Sequence, residues 1–395
     1  VPGFRPAEIK PNEPDLGNAS AREPAMTKLR SFAFSLVLLL LPALPAAADT
    51  ARLPVLVPIT GFLALEGTSQ RNGALLALKH ADATLKAEVI DTGVTPEGAL
   101  TAFERALRHG KTPAIVAPML GTQMLALLPL AERESIPLVT VSGTAKITEL
   151  DNKWVFRFFP GDDVVKLAQA RYTIEKLGKR KPALLYQTTA YGQSGRQHLA
   201  EQFARLGAPL VYEEGLAPTV KDLLPALVKA QTAGADVLIL HLHAPSTALA
   251  IAQARAQGMT LPIVAGSAMH QPAAAELLSP RDLAGVCAET AASPVSGGSS
   301  AMEKFTADYR KEFSSEPDAF AVAQYDGTMM ILAALKSGAK DAAQVRDYLA
   351  SQPHQGLAMR YRSDGKGNMA HDAIIVCFDG RTRVPAIVER YAGTQ

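Results

Sequence analysis

Only two cysteines occur in the 395 residues, Cys287 and Cys377. That excludes a small disulfide-dense fold and a cysteine-ligated zinc ribbon. Tryptophan appears once, and aromatics make up 6% of the chain. Lys and Arg number 40 against 38 Asp and Glu, a net charge of +2 with no basic block. Without a basic, aromatic-interleaved stripe, nothing points to a nucleic-acid partner. Motifs of covalent chemistry are missing as well: there is no P-loop, G-x-G-x-x-G, HExxH or CxxC. Gly192-Gln193-Ser194-Gly195 lacks the spacing of a nucleophile elbow. A hydrolase on this chain would need a nucleophile, base and acid that the spacing does not offer. The chain therefore reads as a non-enzyme that needs no cofactor.

His241-Leu242-His243 would set two imidazoles on one face of a strand. Two ligands leave a metal site incomplete, and His270 is the only other plausible neighbour. These histidines read as ordinary hydrogen-bonding groups. The apolar run Phe32 to Leu41 is too short for a membrane span. Lys28 and Arg30 precede it, and Ala46-Ala47-Ala48 and Asp49 follow, the layout of a cleaved secretory signal peptide beginning at Met26. Val1–Ala25 then reads as upstream sequence, and residues 1–48 as no part of the fold. The expected product starts at Asp49, is exported to an oxidising compartment and is not membrane-inserted after processing. That oxidising compartment permits a disulfide between Cys287 and Cys377.

What is present is an alternation of strands and helices long enough for two cores. Leu53–Pro58 reads as a strand, Ile59–Gly67 as a loop, and the stretch around Ala74 to Ala81 as a helix. Ala87–Asp91 is a strand and Pro96–Arg108 a helix with Pro in its first turn. Pro113 to Ala145 follows as strand, turn, helix, strand, turn. Its strands end in Pro118-Met119-Leu120-Gly121-Thr122 and in Ser142-Gly143-Thr144-Ala145. Ligands in open parallel sheets bind beyond such strand ends, where free N–H groups and hydroxyls favour a carboxylate. After the extended Trp154–Phe159 the rhythm restarts, with strands at 181–186, 209–213, 236–241, 262–265 and 285–288 between helices. Helices over about 300–313, 320–337 and 342–351 precede closing strands near 358–361, 373–378 and 385–390. The expected fold is α/β, with two doubly wound Rossmann-like lobes.

Several segments, in order and spacing, resemble the type I periplasmic binding proteins of the branched-chain amino acid (Leu/Ile/Val-binding) family, which serve ABC importers. They are Pro58-Ile59-Thr60-Gly61 with Gly67 and Asn72-Gly73-Ala74, the block Ala114–Ala145, Tyr191-Gly192, Asp236–Gly258 and Tyr325-Asp326. The resemblance covers Leu53 to Arg390. It implies a three-stranded hinge between lobe one (49–160 and 291–372) and lobe two (161–290 and 373–395). It also implies a monomer that closes on a small ligand and docks on a membrane permease. A ligand-sensing receptor coupled to a signalling partner would share the fold.

Carried over residue by residue, the family's carboxylate cradle falls on Gly121, where a serine is lost, and on Thr122, Ser142 and Thr144. The family's Tyr and Glu that meet a ligand ammonium fall on His243 and Ser267. Losing that Glu leaves a buried ammonium without an anion, which is costly. Either Glu66 in the opening loop replaces it, or the ligand is a carboxylate, amide or other small polar organic without an ammonium. Phe62, Met119, Tyr191, Phe320 and Tyr325 are candidates for the apolar wall. The mapping also sets Cys287 and Cys377 on strands of lobe two near the crossovers.

Overall fold

The computed structural model describes residues 52–108, 110 and 112–393. The expected signal peptide and upstream segment lie outside them. Helix and strand alternate through β1 (Arg52–Val57), α1 (Ala64–His80), β2 (Lys86–Asp91), α2 (Pro96–Leu107), β3 (Ile115–Val116), α3 (Gly121–Glu134), β4 (Leu138–Thr140) and β5 (Val155–Arg157). These strands form one parallel sheet in the order β2-β1-β3-β4-β5. Side-chain alternation gives the sheet two buried faces. Leu53, Val55, Val57, Val116 and Val139 share one core with Ala74 and Leu78 of α1. Leu56, Ile90, Ile115 and Leu138 face the opposite way, onto Phe103 of α2 and Leu127 of α3.

The second half continues as α4 (Asp162–Arg171), β6 (Pro182–Gln187), α5 (Ala190–Arg205), β7 (Tyr212–Leu216), α6 (Leu224–Thr232), β8 (Val237–His241), α7 (Ala244–Ala256), β9 (Ile263–Ala265), α8 (Pro272–Ala275) and β10 (Val286–Thr290). Then come α9 (Ser300–Phe313), α10 (Ala319–Lys336), α11 (Ala342–Ser351), a hairpin of β11 (His354–Gln355) and β12 (Arg360–Tyr361), β13 (Ala373–Cys377) and β14 (Ala386–Tyr391). The second sheet runs β14-β13-β10-β9-β8-β6-β7, parallel except for the antiparallel edge pair β13 and β14. Met330, Ile331 and Ala334 of α10 return to the core of the first sheet. The chain thus passes between the sheets three times, after β5, after β10 and before β13.

Two elements differ from the sequence expectation. The segment 59–67 is not a loop: Gly61 turns at φ +80 into a short 3-10 turn, and α1 starts at Ala64. Gly67, expected to end that loop, lies inside α1, where a Cβ would meet the Pro58 carbonyl oxygen at 2.0 Å. The strand expected at 209–213 forms at Tyr212–Leu216. It is an outer strand whose Glu213 and Glu214 pair with Arg196 and Lys229, so its polarity hides it from an apolar-run reading.

Cys287 and Cys377 stand opposite each other on β10 and β13 and form a disulfide. Among the described residues no helix is long and apolar enough to cross a membrane.

Candidate functional site

A cavity lies where the carboxyl ends of the two sheets meet, and nearly every wall residue follows directly on a strand. Leu63 and Glu66 follow β1, Met119 and Leu120 follow β3, and Val141 and Gly143 follow β4. Phe159, Pro160 and Asp162 follow β5, with Val165 one turn on in α4. From the second sheet come Tyr191 after β6, His243 after β8, and Ser267 and Ala268 after β9, while Phe320 arrives from the first turn of α10. The walls are close together, leaving about 30 Å³ to the centre of a water-sized sphere, room for about two waters.

Aromatic rings shape the two sides. Tyr191 packs on His241 with ring centroids 3.9 Å apart and stacks on His243 at 5.3 Å. Phe159 and Phe320 meet at 4.9 Å. The His241 Nε2–H donates to the Tyr191 carbonyl at 3.0 Å, which leaves its Nδ1 bare. Burial holds His243 neutral, its pKa pushed down to about 3, and holds His241 neutral likewise.

Two carboxyl groups face this largely apolar space. Glu66 is 1% exposed; its Oε1 accepts the Ala244 N–H at 2.8 Å, and its Oε2 has no partner. Asp162 is also 1% exposed, and neither of its oxygens completes a hydrogen bond. Lys166 Nζ stands 3.9 Å from it, with the Ser194 hydroxyl nearby. Burial pushes both groups up to about 7; for Asp162 the Lys166 charge pulls the other way without winning. Behind Ser267 lies a buried pair, Lys166 Nζ donating to Glu289 Oε1 at 2.5 Å. Glu289 also accepts the Ser267 N–H at 3.0 Å and its hydroxyl at 2.7 Å. Ser267 is thus backed by an anion that is already paired.

Of the residues singled out from sequence, the fold brings Glu66, Met119, Tyr191, His243, Ser267 and Phe320 to the cavity wall. Gly121, Thr122, Ser142 and Thr144 are not on it. The reason at the first turn is steric: a Cβ on Gly121 would lie 2.0 Å from Thr144 Oγ1, so Thr144 fills the space a side chain at 121 would need. The Ser142 and Thr144 hydroxyls are buried without a hydrogen-bond partner. Thr122 instead reaches the other lobe, its Oγ1 accepting the Ala190 N–H at 3.2 Å, and Ser194 Oγ accepts the Ala145 N–H at 3.0 Å. Phe62 packs on His243 at 5.1 Å. Tyr325 points away, its hydroxyl 3.0 Å from His80 Nδ1. His270 turns from the His241–His243 strand: its Nε2 accepts the Ala319 N–H at 2.7 Å. Among the described residues no group of three potential ligands is placed to hold a metal.

Asp162, Phe159 and Pro160 escaped sequence reasoning. The same strand-end rule that singled out 118–122 and 142–145, applied to β5, points to them.

Two α/β lobes with a cavity at their facing strand ends define a solute-binding protein of the two-lobed type. The Periplasmic binding protein family model matches residues 50–382, and the chain belongs to that family of binding proteins. It is 25% identical over 324 residues to an amino acid binding protein of Pseudomonas aeruginosa, covering 79% of this chain and 85% of that one. The fold matches a leucine binding protein from Thermotoga maritima with a TM-score of 0.80 at 21% identity, covering 87% and 99% of the two chains. It matches equally, at TM-score 0.80 and 19% identity, an ABC transporter solute binding protein from Rhodopseudomonas palustris BisB5 in complex with 3,4-dihydroxy benzoic acid, over 88% and 98%.

Proposed function

We propose that this chain captures a small organic solute in the periplasm and delivers it, as a monomer, to the permease of an ABC importer. The observation that carries the reading is a cavity whose wall is divided between the lobes: Glu66, Met119 and Phe320 on one, Tyr191, His243 and Ser267 on the other. A solute touching both sides favours the closed form by its differential affinity. The three chain crossings act as the hinge, with lobe one as 49–160 plus 291–372 and lobe two as 161–290 plus 373–395. The narrowness of the cavity supports capture by closure, because an organic solute of several heavy atoms enters only when the lobes part. The amino acid and aromatic-acid binding named for similar proteins sets the range of solutes to try first.

The test is a thermal-shift screen of amino acids, short carboxylates, amides, amines and aromatic acids, followed by small-angle scattering with the hits. A hit should raise Tm and shrink the radius of gyration. Hits that bind without compaction would overturn capture by closure.

A further inference from the structure

We propose that the solute is a small organic cation, an amine with an apolar or aromatic body, whose charged head is held between Asp162 and Glu66. This rests on the capture reading above and narrows it to a solute class.

The unpaired groups on the wall are acceptors. Three buried carboxylate oxygens, both of Asp162 and Oε2 of Glu66, have no hydrogen-bond partner and belong to residues lining the cavity. A buried acceptor without a donor is costly, and an N–H-bearing head group supplies donors. The charge count points the same way. Lys166 alone stands between two buried carboxylates, Glu289 at 2.5 Å and Asp162 at 3.9 Å, and Glu66 has no cation beside it. Three carboxylates, Glu289, Asp162 and Glu66, outnumber Lys166 and the Arg157 guanidinium that also acts on Asp162, so a bound cation would reduce the excess negative charge.

The wall offers no cationic side chain to an anion. Among the described residues no Lys or Arg lines it, and Gly121, Thr122, Ser142 and Thr144 all lie off it. A solute carboxylate would add a negative charge beside two carboxyl groups. The rest of the wall suits the carbon skeleton of an amine. Tyr191, Phe159 and Phe320 offer aromatic surface, and Leu63, Met119 and Val165 offer aliphatic surface.

Both carboxyl groups sit near pH 7, so a bound cation would ionise them fully and release protons. The other groups in this field are the neutral His241 and His243, Tyr191, the Lys166–Glu289 pair, the buried Arg157 guanidinium near Asp162, and Asp318 near Glu66.

Calorimetry on the purified chain with two matched sets decides it. One set is isoamylamine, 4-methylpentanoate and L-leucine; the other is tyramine, 3-(4-hydroxyphenyl)propanoate and L-tyrosine. The amine of at least one set should bind about tenfold or more tighter than its acid and amino-acid counterparts. Tightest binding by an acid or an amino acid overturns this proposal and leaves the capture reading standing. Silence of all six overturns this proposal, and the broader thermal-shift screen then decides the capture reading. Asp162→Asn should weaken the amine by about tenfold or more without weakening the acid; unchanged amine affinity overturns the proposal. If that variant fails to fold, the wild-type chain still decides. Amine binding at pH 7 should release protons, so its heat should differ between buffers of unlike ionisation enthalpy.

Discussion

Glu66 and Ala244 are joined across the cleft: the carboxylate oxygen Oε1 accepts the backbone N–H that opens α7, at 2.8 Å. A side chain from the first turn of a helix on one sheet thus caps a helix on the other. The contact uses one oxygen and leaves the second toward the cavity. Closure and recognition therefore meet in one side chain, and its protonation touches both.

Glu66 should make stability depend on pH. Its folded pKa, about 7, lies above the unfolded value near 4.5 because burial disfavours the charge. A raised pKa contributes stability that is fully present below 4.5 and is lost as pH rises through 7. Glu66→Gln lacks that loss. The variant should gain on the wild type by about 3 kcal/mol between pH 4 and pH 8. The buried histidines titrate in both chains and cancel in the difference. Urea denaturation across that range measures it, and a pH-independent difference would show that Glu66 stays ionised when buried.

Thr122 and Ser194 each accept a backbone N–H from the opposite lobe. Removing either hydroxyl strands a donor only in the closed form. Thr122→Ala and Ser194→Ala should each weaken solute binding by about 1 kcal/mol, roughly fivefold. The loss should appear mainly as faster dissociation, read by stopped-flow fluorescence.

Restoring a side chain at position 121 should harm the fold. A Cβ there would meet Thr144 Oγ1 at 2.0 Å and Thr144 Cβ at 2.7 Å. Gly121→Ser should destabilise by about 1–3 kcal/mol through overpacking. Gly121→Ser combined with Thr144→Ala should recover most of that loss. A double variant no better than the single one, in thermal denaturation, would place the strain elsewhere.

The Cys287–Cys377 disulfide ties β10 to β13, next to one of the chain crossings. It closes a sequence separation of 90 residues. Its reduction, or replacement of both cysteines by Ser, should cost about 2–4 kcal/mol. Intact mass without reductant should show no free thiol.

The chain's own order of residues determined the architecture. Apolar runs of strand length alternating with helical stretches specify parallel sheets with two buried faces, because only β–α alternation covers both sides. Leu53, Val55 and Val57 facing one core while Leu56 faces the other is that pattern realised. Strand ends also pointed toward this cavity, and six of the twelve residues singled out stand on its wall. What only tertiary structure decided is which groups are spare. Whether a hydroxyl or carboxyl is left for a solute depends on what reaches it from far along the chain. Thr122 is taken by Ala190, Ser267 by Glu289, and one oxygen of Glu66 by Ala244, whereas Asp162 is left with Lys166 at 3.9 Å and no hydrogen bond. Such pairings depend on distances of a few ångströms between segments distant in sequence. Local propensity and periodicity carry no information about them.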